Sequence, residues 1–201
     1  MSEYRKKLKS AEIFAGLSFG ILVIWLLSSF HAPSASSTQS DVTLFSNFHK
    51  NLMEIDNTLN TDFDSYNKAF QRAVQNNDIY GMYNSSKDFH YQLASLADQV
   101  SKDNLLGQPL INPKAMKAER EAVDALNSNI ELREQAVEFF MKAIDDQEFK
   151  PSIVSTIQDS SNESQMASVR EALAILNGYQ ALGIGSDKID FTNGGVKGLK
   201  K

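Results

Sequence analysis

The chain has 201 residues, 42% of them hydrophobic, with 20 Lys and Arg against 25 Asp and Glu, a formal net charge of −5, and no cysteine. That mixture is globular rather than disordered, and the missing thiols exclude disulfide scaffolds, cysteine nucleophiles, zinc ribbons and iron–sulfur clusters. The acidic balance argues against a nucleic-acid partner, which needs a basic face.

Residues 1–10 carry Arg5, Lys6, Lys7 and Lys9 against Glu3 alone. From Ala11 to Phe30 the chain is almost wholly apolar. Twenty helical residues rise about 30 Å, the thickness of a bilayer's hydrocarbon core. The expectation is a transmembrane helix over 11–30, with the basic segment 1–10 in the cytoplasm and all that follows in the periplasm or at the cell exterior. Gly16 and Gly20 form a small-xxx-small step that clears one face for a second membrane helix, hence a homo-oligomer; the bland reading is that glycine is common in such spans. A cleaved signal peptide is the rival, with Ser34 and Ser36 at cleavage-site spacing, and it gives a secreted protein. Residues 31–40, rich in serine, read as a flexible linker.

Beyond the linker, apolar residues recur every three or four positions. Phe45, Phe48, Leu52, Ile55, Leu59, Phe63, Tyr66 and Phe70 mark a first helix between Asp41 and Asn76. Ile79, Met82, Ser86, Phe89, Leu93, Leu96 and Val100 mark a second. After a loop holding Gly107 and Pro109, Asn112-Pro113 is a capped helix start, and Met116, Val123, Leu126, Ile130, Val137, Phe140 and Ile144 follow on one stripe. A fourth helix is expected between Ser152 and Leu182, restarting at the capping box Ser160–Glu163, with Met166, Val169, Leu173, Leu176 and Tyr179 inward and Gly183 as its stop. Residues 183–201, with five glycines and four lysines, read as a flexible C-terminal tail. The fold class is all-α: a transmembrane helix, then an up-down antiparallel four-helix bundle over 41–182.

No catalytic constellation stands out. The Glu-x-x-His pairs of a carboxylate-bridged di-iron bundle are absent, and His31, His49 and His90 read as solvated flanking positions, so neither a metal nor a cofactor is expected. Arg133 falls on the inward row 119, 126, 133, 140, where it either snorkels, pairs with Glu131 or Glu134, or faces an anionic ligand. Tyr80, Tyr83 and Tyr91 crowd the second helix, where they rim a ligand pocket or simply pack the bundle end. Residues 41–182 hold 12 Lys and Arg against 21 Asp and Glu, which disfavours anionic lipid surfaces.

The sequence therefore reads as a non-enzymatic, membrane-anchored extracytoplasmic bundle that works by contact with a protein partner, as an envelope-complex subunit would. The alternative is a sensor or carrier for a small acid or hydrophobic ligand, built on Arg133 and the tyrosines.

Overall fold

The computed structural model describes residues 39–102, 105–147 and 151–198. Four long helices account for most of them: α1 Gln39–Gln75, α2 Ile79–Lys102, α3 Pro113–Asp145 and α4 Pro151–Ala181. The described residues contain no strand, only one antiparallel bridge between Ile189 and Val196. The expected cytoplasmic segment, the membrane helix with Gly16 and Gly20, and nearly all of the linker lie outside the described residues. No described helix is long and apolar enough to cross a membrane.

Local chemistry sets the helix ends. Asn77, at φ 53°, closes α1: the Asp78 amide reaches back to the Ala73 carbonyl at 2.8 Å and the Asn77 amide to Val74 at 3.2 Å. Asparagine tolerates this left-handed conformation, so a two-bond helix stop forms without glycine. The Asp78 carboxylate then accepts from the Gly81 amide at 2.9 Å, capping α2. At α3, Asn112 accepts from the amides of Lys114 and Ala115, and Pro113 fills the first turn, where no N–H is needed. Gly183, at φ 76°, ends α4 with the same two-bond stop.

Neighbouring helices run antiparallel. Phe63 and Tyr66 of α1 meet Phe89 of α2, while Phe70 meets Phe140 of α3. His90 faces Glu134 and Tyr83 faces Asp145 across the α2–α3 seam, so position rises on one helix as it falls on the other. Asn129 meets Ser168, and Arg133 meets Ser164, between α3 and α4. The first stripe does what its periodicity requires: Phe45, Phe48, Leu52, Ile55 and Leu59 are buried against Phe89, Leu93, Leu96 and Val100. Tyr66 stacks on Phe89 with centroids 4.8 Å apart and planes 9° from parallel. Alanines at 115, 118, 122, 125, 167 and 174 are buried where α3 and α4 make the most extensive contact of the bundle.

Three expectations are corrected. First, α4 runs unbroken from Pro151, with Ser160 buried inside it rather than capping a restart. Its inward row is Ser160, Ser164, Ala167, Glu171, Ala174, Ile175, Gly178 and Tyr179, while Met166 and Leu173 are 58% and 43% exposed. Leu176 and Tyr179 are buried as the spacing required, but Ser164 on the inward row bonds Asn129 of α3, so apolar spacing alone placed only the C-terminal part of the buried face. Second, residues 183–198 are not a free tail. They turn through a short 3₁₀ segment, Ser186–Lys188, and lie on α1 and α4, burying Ile189. Third, His49 is no solvated flank: it is 1% exposed, enclosed by Tyr179, Phe191 and the Gly195 backbone.

The start of α1 is tied to the start of α3. Both Asp41 carboxylate oxygens accept backbone amides, from Ile111 at 3.1 Å and Asn112 at 2.9 Å. Glu119, 2% exposed, sits near this carboxylate, and burial followed by the Asp41 charge pushes its pKa up to about 7. A raised carboxyl pKa means that this stability contribution is full below the ordinary carboxylate range and is lost as pH rises through 7. Glu119 also borders a pocket of about 80 Å³ beneath residues 105–108, which moderates the penalty. Glu119→Gln should therefore stabilise the protein at pH 8 by about 2 kcal/mol and change little at pH 4.5. Urea unfolding at the two pH values tests this, and equal effects at both would overturn it.

Candidate functional site

Arg133 occupies the bundle interior, as the row 119, 126, 133, 140 requires. The residue is half-buried, and no ion pair joins it to Glu131 or Glu134. Its guanidinium carbon lies 4.4 Å from the Phe63 ring centroid, and its Nε donates to Asn129 Oδ1 at 3.0 Å and Ser164 Oγ at 3.3 Å. Asn129, fully buried, donates onward to Ser168 Oγ at 3.0 Å. Burial lowers the guanidinium pKa to about 10, opposed by the Asp56 and Asp64 charges, so the group stays cationic at neutral pH. Burial raises Asp56 and, far more, Glu171, whose neighbour Asp56 adds to the effect. Arg133 Nη1 and Glu171 Oε2 are shielded from solvent without a hydrogen-bond partner. Hydrogen bonds among Asn129, Arg133, Ser164 and Ser168 join α3 to α4, and the Phe63 ring against the guanidinium brings in α1.

The three tyrosines do not gather around that arginine. Tyr80 is 83% exposed at the start of α2, and Tyr91 is 60% exposed with the Lys87 ammonium 5.9 Å from its ring centroid. Tyr83 stands in the α2–α3 seam with its hydroxyl 3.5 Å from Asp145. The four side chains are thus spread over solvent, seam and interior.

Two further features were missed by sequence reasoning. On the outer side of α3 and α4 runs a shallow groove of about 470 Å³, lined by Glu121, Asp124, Ala125, Ser128, Arg170, Leu173, Ala174 and Asn177. Exposed Met166 shares a helical row with Leu173 on α4, and the 43%-exposed Phe139 shares one with Ser128 on α3, so single exposed apolar side chains stand beyond the groove on each helix. Small floor residues and acidic rims leave little hydrophobic signal in the sequence. The second feature is the only group of potential metal ligands among the described residues: His90, Glu134 and Glu138, whose ligating atoms lie within 4.8 Å of one another. The pair Glu134 and Glu138, one turn apart, was visible in the chain; the register that brings His90 opposite them was not.

Compared with protein-family models, curated proteins and solved structures, the chain gives no match, so its function rests on its own residues.

Proposed function

We propose that this protein is a non-enzymatic, membrane-anchored helical bundle, held by residues 11–30 with the bundle on the extracytoplasmic side, and that it works as a subunit of an envelope complex. The observation that carries this reading is the outer groove of α3 and α4. Exposed Leu173 borders a floor of Ala125, Ser128 and Ala174, where an added helix could come close to the backbone, and exposed Met166 lies two turns before Leu173 on the same row of α4. Glu121 and Asp124 line the α3 side. The occupant that fits is an amphipathic helix of a partner protein, with leucine-sized anchors beside Leu173 and basic residues facing Glu121 and Asp124.

A photo-crosslinking residue in place of Ser128, in full-length protein in native membranes, is expected to give one dominant adduct with a different protein. Adding Leu173→Asp should reduce that adduct about tenfold or more, since it puts a charge where an apolar anchor is buried. A chain that stays monomeric and uncrosslinked, or an adduct indifferent to Leu173→Asp, would reject the reading. An adduct between two copies would replace the foreign partner with a homo-oligomer.

The second reading, a sensor for a small acid, draws its support from the unpartnered Nη1 of Arg133. It is the weaker of the two, because Phe63, Asn129 and Ser164 already enclose that guanidinium.

A further inference from the structure

We infer that His90, Glu134 and Glu138 form a binding site for a zinc-class divalent cation that clamps α2 to α3. His90 projects from α2, and the two glutamates project one helical turn apart from the facing side of α3. The His90 Nδ1 to Glu134 Oε1 separation is 3.5 Å. That is too long for a good N–H···O bond, which falls at about 2.7–3.2 Å. It does match the edge of a metal tetrahedron, since two ligands at about 2.0–2.1 Å from zinc and near 109° apart are separated by about 3.4 Å.

The surroundings of that nitrogen point the same way. His90 Nδ1 is shielded from solvent and has no hydrogen-bond partner. A shielded ring nitrogen left without a partner is unfavourable, and in the tautomer with its proton on Nε2 a cation shared with Glu134 would engage it. The mixed donor set selects the metal class. An imidazole suits zinc, cobalt or nickel, whereas calcium and magnesium prefer all-oxygen shells. Glu134 is about a quarter exposed and Glu138 lies open to solvent, so a cation can enter from outside and keep water at the remaining position. This site is separate from the α3–α4 groove, and either can fail without the other.

Full-length protein, stripped with chelator, should be titrated with Zn²⁺ alone by calorimetry and thermal melting. Saturable binding of one ion per chain with a rise in Tm is expected, and among His31, His49 and His90 only the His90 imidazole signals should shift in an NMR titration. His90→Ala and Glu134→Gln should each weaken binding by about tenfold or more, and the exposed neighbour Glu131→Gln should leave it unchanged. Helicity by circular dichroism checks that the variants remain folded. No saturable binding to the unmodified protein, shifts confined to another histidine, or equal affinity in folded His90→Ala would each overturn the site.

Discussion

Gly178→Ala is expected to destabilise the bundle by about 2–3 kcal/mol, although alanine is the better helix former by about 1 kcal/mol. Gly178 is buried in the last two turns of α4, against the outer end of the Phe45 ring from α1. A Cβ built there meets the outer ring atoms of Phe45, the closest being Cζ, with Cε1 at 2.9 Å. The ring has nowhere to go: Phe45 is fully buried and packs edge-on against Tyr179 at 4.8 Å and against Phe48 at 5.6 Å. Forcing a methyl into so dense a contact shifts either the ring off its rotamer or the helix off its neighbour. Urea denaturation provides the measurement, and its sign is decisive. A stabilised variant would mean that helix propensity outweighs packing and that Phe45 yields freely. Pairing the change with Phe45→Leu should recover part of the loss, because the two positions share one contact.

Gly194→Ala is expected to release the C-terminal segment from α1, destabilising the protein by about 3 kcal/mol and freeing His49 to titrate. Gly194 has φ 72°, and a Cβ there would lie 2.7 Å from Lys50 Cα and 2.9 Å from the His49 carbonyl oxygen. Those are backbone atoms of a helix and cannot step aside. With the segment lifted, Ile189 loses its burial, an effect of about 1.5–3 kcal/mol, and His49 loses its cover.

The histidine makes this loss readable. The Gly195 amide can only donate, and it donates to His49 Nδ1 at 2.9 Å, so Nδ1 is unprotonated and the ring proton sits on Nε2. The Tyr179 hydroxyl lies 3.2 Å from the same nitrogen. Burial lowers the His49 pKa from 6.5 to about 4, with Asp190 opposing the shift. Because the folded value lies below the unfolded one, the unfolded chain binds the proton first. Stability from this group is complete above about pH 6.5 and declines towards pH 4, a loss of roughly 3 kcal/mol. In Gly194→Ala the His49 resonances should titrate near 6.5, and the variant's deficit should shrink as pH falls from 7.5 to 5. A His49 that still titrates near 4 would show that the segment stays docked despite the added methyl.

Neither effect was legible in the chain, whereas much of the architecture was. The α1 and α2 stripes, the Asn112-Pro113 start and the Gly183 stop all depend on neighbours within a turn or two. Periodicity of 3.6 and capping geometry report such relations directly. Arg133 also fell on its inward row by spacing alone. Its partners did not, since Ser164 and Phe63 lie 31 and 70 positions away and no local rule selects them.

For this protein, then, the order of residues alone determined four helices, the start of α3, the end of α4 and the buried faces of the first two, because those follow from backbone hydrogen bonding and the burial of grease on one side of a rod. Tertiary structure decided how the buried face of α4 continues beyond Leu176 and Tyr179, where the glycine-rich segment lies, and that His49 meets the core and His90 the seam. Those outcomes depend on how distant polar groups find partners and how closely two backbones can approach, quantities that exist only once the helices have met.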